Sequence, residues 1–144
     1  MTQTQIDRAL RVVFVIWLVL LAAIWFSFRT KHGNGSLTDA QLQRWYEGAN
    51  EEYFANKLPK NVTVKWGDLS WDNDIGLTQH RPDGSYTITI DPKENPARSE
   101  ALLTLFHETC HIATWNSGFL DVHGPPFQTC MLRLAEKGAF QDLW

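Results

Sequence analysis

Hydrophobic and polar positions alternate along this chain in several distinct periods, and each period predicts an element. Residues 12–28 are apolar except for Ser27, and Ala9 and Leu10 extend the run across Arg11. Together they give roughly 20 residues, about one bilayer crossing. The run has no polar face, unlike the helix of a soluble core, so residues 9–28 are expected to form a transmembrane anchor. Small residues are missing where a cleavage site would fall before Arg29, so the anchor is expected to be retained rather than removed as a signal peptide. Arg8, Arg11 and the α-amine face Arg29 and Lys31 across the span. The one extra charge in the short N-terminal tail favours that tail inside and the domain exported, as in a bacterial inner membrane.

Residues 29–36 end in His-Gly-Asn-Gly-Ser and read as a linker. A helix is expected over residues 37–56, capped by Ser36 or Thr38, with Leu42, Trp45, Ala49, Tyr53 and Phe54 as its apolar stripe. Leu58-Pro59 is expected to end it, because proline pushes the preceding residue out of the α region. Residues 61–66 alternate Val62, Val64 and Trp66 with Thr63 and Lys65, the period of a half-buried strand. Residues 75–79 and 85–90 flank an Asp83-Gly84 turn and predict a hairpin. Asn95-Pro96 has the cap and first-turn chemistry of a helix start. The helix would run to about Trp115, with Leu102, Leu105, Phe106, Ile112 and Ala113 facing the core, and stop at Asn116-Ser117-Gly118. A last helix would follow His123-Gly124-Pro125-Pro126, carrying Phe127, Cys130, Met131 and Leu134 inward. The elements therefore divide into one membrane helix, then one domain over residues 37–144.

Composition supports a single packed domain: 144 residues with 44% hydrophobic content are enough for one core. The region after residue 28 carries 11 basic against 15 acidic residues. That sign gives no electrostatic footprint for a phosphate backbone, so nucleic acid is not expected as a partner. The acidic run Asp68, Asp72, Asp74 lacks the glycine and terminal glutamate of a calcium loop and reads as a solvated loop. Cys110 and Cys130 are too few for a disulfide scaffold and read as buried thiols; a bridge between the last two helices is the alternative, suited to an exported domain.

The candidate chemistry lies in His107-Glu108-Thr109-Cys110-His111, with His123 twelve residues beyond. Residues four apart on a helix lie one above the other, so His107 and His111 present two imidazoles on one face. His123 would complete a set of three protein ligands for Zn²⁺, leaving a position for water, as in catalytic zinc sites. Glu108, about 100° round the helix, sits where a carboxylate could take the proton of that water. Composition alone would produce such a string in roughly 1% of chains this long, and then the histidines would be ordinary core or surface residues.

The order of elements, with Asn50, Tyr53, Phe54, Leu58 and Pro59 early, then strands, then Leu105-Phe106-His-Glu-x-x-His and His123-Gly124-Pro125-x-Phe127, resembles the SprT-like metallopeptidases over residues 37–134. Other proteins with this string fit less well. Metzincins would need a histidine where Ser117 stands, deformylases a cysteine upstream of Cys110, and thermolysin-like enzymes a glutamate such as Glu136 as third ligand. The resemblance implies an α+β zincin-like fold, zinc on His107, His111 and His123, Glu108 as catalytic base, and hydrolysis of peptide bonds in a protein or peptide substrate. The family's link to proteins on DNA carries over least, because the domain is acidic and tethered. His80, Arg81 and Tyr86 are candidates for a second stabiliser of the reacting carbonyl, and residues 85–90 for a strand along which substrate could lie. A tethered zinc-binding interaction module without catalysis is the alternative function.

Overall fold

A computed structural model describes residues 37–118, 120–141 and 143, all within one compact unit, Asn34–Trp144. The expected anchor and linker, residues 9–28 and 29–36, lie outside the described residues. No helix among the described residues is long and apolar enough to cross a membrane.

Helix α1 spans Asp39–Phe54 and begins as predicted at Thr38. The Thr38 hydroxyl accepts from the Gln41 amide at 3.3 Å, and the Gln41 side chain accepts from the Thr38 amide at 2.8 Å. This reciprocal pair satisfies amides that the first turn leaves without partners. Leu42, Tyr46, Ala49 and Asn50 are its buried residues, whereas Trp45, Tyr53 and Phe54 are half-buried. Tyr46 stays inside because its hydroxyl donates to Pro59 O at 2.8 Å. The helix ends earlier than the proline predicts. Ala55 and Asn56 turn left-handed, with φ of 53° and 58°, while Asn50 clamps Leu58 by accepting from its amide at 3.0 Å and donating to its carbonyl at 3.3 Å. The constraint from Pro59 acts only on Leu58, which already lies beyond the helix.

Three strands follow: β1 (Val62–Trp66), β2 (Gly76–His80) and β3 (Tyr86–Ile90), in the spatial order β1-β3-β2. The expected hairpin joins β2 and β3 antiparallel, its turn closed by Arg81 N donating to Ser85 O at 2.8 Å, with Gly84 at φ 80°. β1 pairs with β3 in parallel. This makes β3 the central strand, with all five of its residues buried. The expectation that substrate lies along residues 85–90 is thereby corrected, since both edges of β3 are already paired.

Helix α2 covers Arg98–Thr114. Its N-cap is Ala97, whose amide donates to Glu100 Oε2 at 2.9 Å. Asn95 is not the cap. It is buried, donates to Ile75 O and Asp91 O at 2.8 Å each, and accepts from the Thr104 hydroxyl at 2.6 Å, pinning the approach to β2 against α2. Leu102, Leu105, Phe106 and Ile112 face the core as predicted, but Ala113 is exposed. α2 packs on β2, β3 and α1. Helix α3, Pro125–Glu136, starts with proline in its first turn and packs on α2 through Phe127, Cys130 and Leu134.

Cys110 and Cys130 form a disulfide between α2 and α3, which corrects the reading of both as buried thiols. Each helix turns its cysteine inward, and packing brings the Cα atoms to 5.8 Å, within bridging range. Sequence periodicity assigns each cysteine to an inner face without saying that the two faces meet.

Closing a loop between positions 20 residues apart restricts the unfolded chain, an effect worth about 3 kcal/mol for loops near that length. Cys130→Ala in the full chain is expected to lower stability by about 2–4 kcal/mol in denaturant titration. Denaturation of the parent without reductant should release no reactive thiols; a thiol titration giving two per chain would contradict the bridge.

Candidate metal centre

The α2–α3 packing brings together the three histidines singled out in the sequence. His107 and His111 are one turn apart on α2, and His123 immediately precedes the Gly124 cap of α3. His107 Nε2 lies 3.2 Å from His111 Nε2 and 3.2 Å from His123 Nε2. One nitrogen from each residue falls within 4.8 Å of the others, and this is the metal-competent group found among the described residues.

These distances fit a bound zinc ion. Two nitrogens at tetrahedral positions about 2.0–2.1 Å from zinc stand about 3.3 Å apart. Without a cation, His107 Nε2 would face two neighbouring ring nitrogens and, having one in-plane site, could share a proton with only one of them. Burial lowers the pKa of His107, with His123 adding to the effect. Burial, followed by the charges of His107 and His123, brings His111 down to about 4. The imidazoles of His107 and His111 are therefore neutral near pH 7, the form that offers a lone pair.

Phe127 orders this cluster, a contact that neither its place in the apolar stripe of α3 nor its place in the His123-Gly124-Pro125-x-Phe127 motif states. Its ring stacks on His111 at 4.6 Å with the planes 29° apart, and lies 4.8 Å from both His107 and His123. Its spacing four residues after His123 is the signal that could have revealed this. His123 is held by its backbone: its amide donates to Asp121 Oδ1 at 2.9 Å, and its carbonyl accepts from Gln128 Nε2 at 3.1 Å.

Glu108 sits on the side of α2 that faces β2 and is only 4% exposed. The Thr78 hydroxyl lies 2.8 Å from Glu108 Oε2 and 3.1 Å from Glu108 O. Burial pushes the Glu108 carboxyl up to about 7; the Thr78 hydrogen bond opposes that shift and the charge of Asp74 adds to it. Gly76 makes the close approach possible, because a Cβ there would stand 2.5 Å from Thr104 Cγ2 and 2.9 Å from Glu108 Oε1. Neither residue was foreseen, although a glycine inside a strand pattern signals such an approach.

The other candidates are placed elsewhere. His80 packs against Tyr86 and Trp115, with ring centroids 4.6 and 5.5 Å away. Arg81 Nε donates to Thr87 Oγ1 at 3.0 Å, and Tyr86 is buried. Cys110 is bonded to Cys130 and has no thiolate to offer a metal. Glu136 ends α3 and is not part of the histidine cluster. In the acidic loop, Asp68 pairs with Lys93 at 3.5 Å and accepts from the Ser70 amide at 3.0 Å.

No curated protein matches the chain, but the model of the SprT-like family matches residues 42–142. That span contains every described helix and strand from Leu42 onward together with the three histidines and Glu108. With this match added to the α+β architecture and the metal-competent cluster, the chain belongs to the SprT-like family, whose domain is metallopeptidase-like.

Proposed function

We propose that this protein is a zinc-dependent metallopeptidase, tethered to a membrane by residues 9–28, with its domain on the exported side. The observation that carries the catalytic reading is the convergence of His107, His111 and His123 beside a buried glutamate. A purely structural zinc site has no use for that carboxyl group.

Zinc bound by the three imidazoles would supply Lewis acidity to the scissile carbonyl and to the attacking water. Glu108 is the general base: it accepts a proton from the water and returns it to the leaving amine. Thr78 fixes the Glu108 side chain through Oε2, so the carboxyl group is oriented before substrate arrives. Phe127 and the Asp121 turn hold the ligand rings. Among the described strands, β2 is the sheet edge that packs on α2, and it is paired only with β3. An extended substrate segment can add along it, drawing on backbone donors and acceptors for affinity.

The disulfide supports the exported assignment, because such bridges persist in oxidising compartments and are rare in the cytosol. The apolar run of residues 9–28 supports the tether.

Glu108→Gln is expected to lower casein or peptide cleavage by about 10²–10⁴-fold, with one zinc per chain retained by metal analysis. A variant that cleaves as fast as the parent would remove Glu108 from this role. A parent that holds zinc and cleaves nothing would favour the non-catalytic interaction module. His123→Ala should lose at least about ten-fold in zinc affinity, read as metal content after dialysis, and unchanged occupancy would exclude His123 as a ligand. A reporter active only in the periplasm, fused after Trp144, should be active; a stable but silent fusion would reverse the orientation.

A further inference from the structure

A cavity of about 140 Å³ opens beside His111, at the C-terminal end of α2. Its apolar wall comes from three segments: Trp115 after α2, Val122 in the following loop, and Pro126 and Phe127 in the first turn of α3. Phe127, which stacks on His111, is common to the cavity and the metal cluster. A group seated here therefore lies against one of the ligand rings. Trp115 is 44% exposed and Val122 65% exposed, so this concave apolar surface is open to solvent.

The polar groups of the cavity constrain what can enter. Thr114 Oγ1 donates to Cys110 O at 2.8 Å, which ties its hydroxyl to the helix backbone. Asp121 Oδ1 accepts from the His123 amide at 2.9 Å, so the carboxylate stays beside the opening. An acidic side chain would meet that charge with no lysine or arginine among the described residues of the cavity wall to pair with it. The volume is close to the roughly 150 Å³ of an apolar cavity that holds benzene, which corresponds to one leucine or phenylalanine side chain.

We infer that this cavity is a specificity pocket that receives a leucine- or phenylalanine-sized apolar side chain from a substrate residue flanking the scissile bond, and that it rejects aspartate and glutamate there. The inference rests on the peptidase reading. The pocket can be tested apart from that reading.

Blocked alanine peptides carrying Leu, Phe, Gly or Asp at one position are titrated calorimetrically into the zinc-loaded full-length Glu108→Gln protein in detergent. Leu and Phe peptides are expected to bind at least about ten-fold more tightly than the Asp peptide. Val122→Trp, which fills the mouth, should reduce that ratio while zinc content stays at the parent level. In parallel, the parent is incubated with the same peptides and its products are mapped by mass spectrometry. Leu and Phe should appear at one fixed flanking position, with kcat/KM in the same order. Equal binding of all peptides, or tightest binding of the Asp peptide, overturns the pocket whether or not cleavage occurs. Cleavage indifferent to the varied residue also overturns it, while leaving the peptidase reading intact. Selective binding with no cleavage by the parent supports the pocket and removes the peptidase reading instead.

Discussion

The packing of α3 against α2 is the contact on which the rest of the centre depends. A helix supplies two imidazoles at one spacing without outside help, but a third nitrogen 3.2 Å from His107 Nε2 must come from another element. Phe127 and Cys130 reach α2 from the same inner face of α3: one as a ring against the histidines, the other as a covalent bond to Cys110. The histidine cluster and the local core are thus built from the same contacts. Loosening the helix pair would separate His123 from the other two before it disturbed the sheet.

On the side of α2 that faces β2, about 100° round the helix from His107, the sheet performs a different task. Gly76 allows β2 to come close, Thr78 binds both the side chain and the backbone of Glu108, and Asn95 ties the segment before β2 to Thr104 on α2. The carboxyl group is therefore held by a strand and the imidazoles by a helix. Separate supports let the carboxyl group be buried while His123 stays exposed at the surface. Burial raises the carboxyl pKa and lowers those of His107 and His111, leaving the ring nitrogens free to coordinate.

The disulfide also bears on where the domain works. For the proposed membrane tether, charge at the two ends of residues 9–28 favours an exported domain by a single charge, whereas a bridge within the core of the site is a device of oxidising compartments. Under the proposed exported peptidase reading, an acidic domain matches envelope proteins as substrates better than proteins bound to DNA.

Periodicity and local capping chemistry made the elements legible. Thr38, one of the two caps read for it, started α1, alternation marked the strands, and the Asp83-Gly84 turn identified the β2–β3 hairpin, because each signal acts within a few residues. The four-residue spacing of His107 and His111, and the position of His123 at a helix entrance, were readable for the same reason. Tertiary structure alone decided the parallel pairing that buries β3, the use of Asn95 as a pin rather than a cap, the bond between Cys110 and Cys130, and the grip of Thr78 on Glu108. Each of these joins residues whose local patterns say which way they face but not what they meet. The sequence by itself determined which groups could do chemistry; packing determined which of them share one site, since a distance between elements is a property of the folded core and not of any stretch of chain.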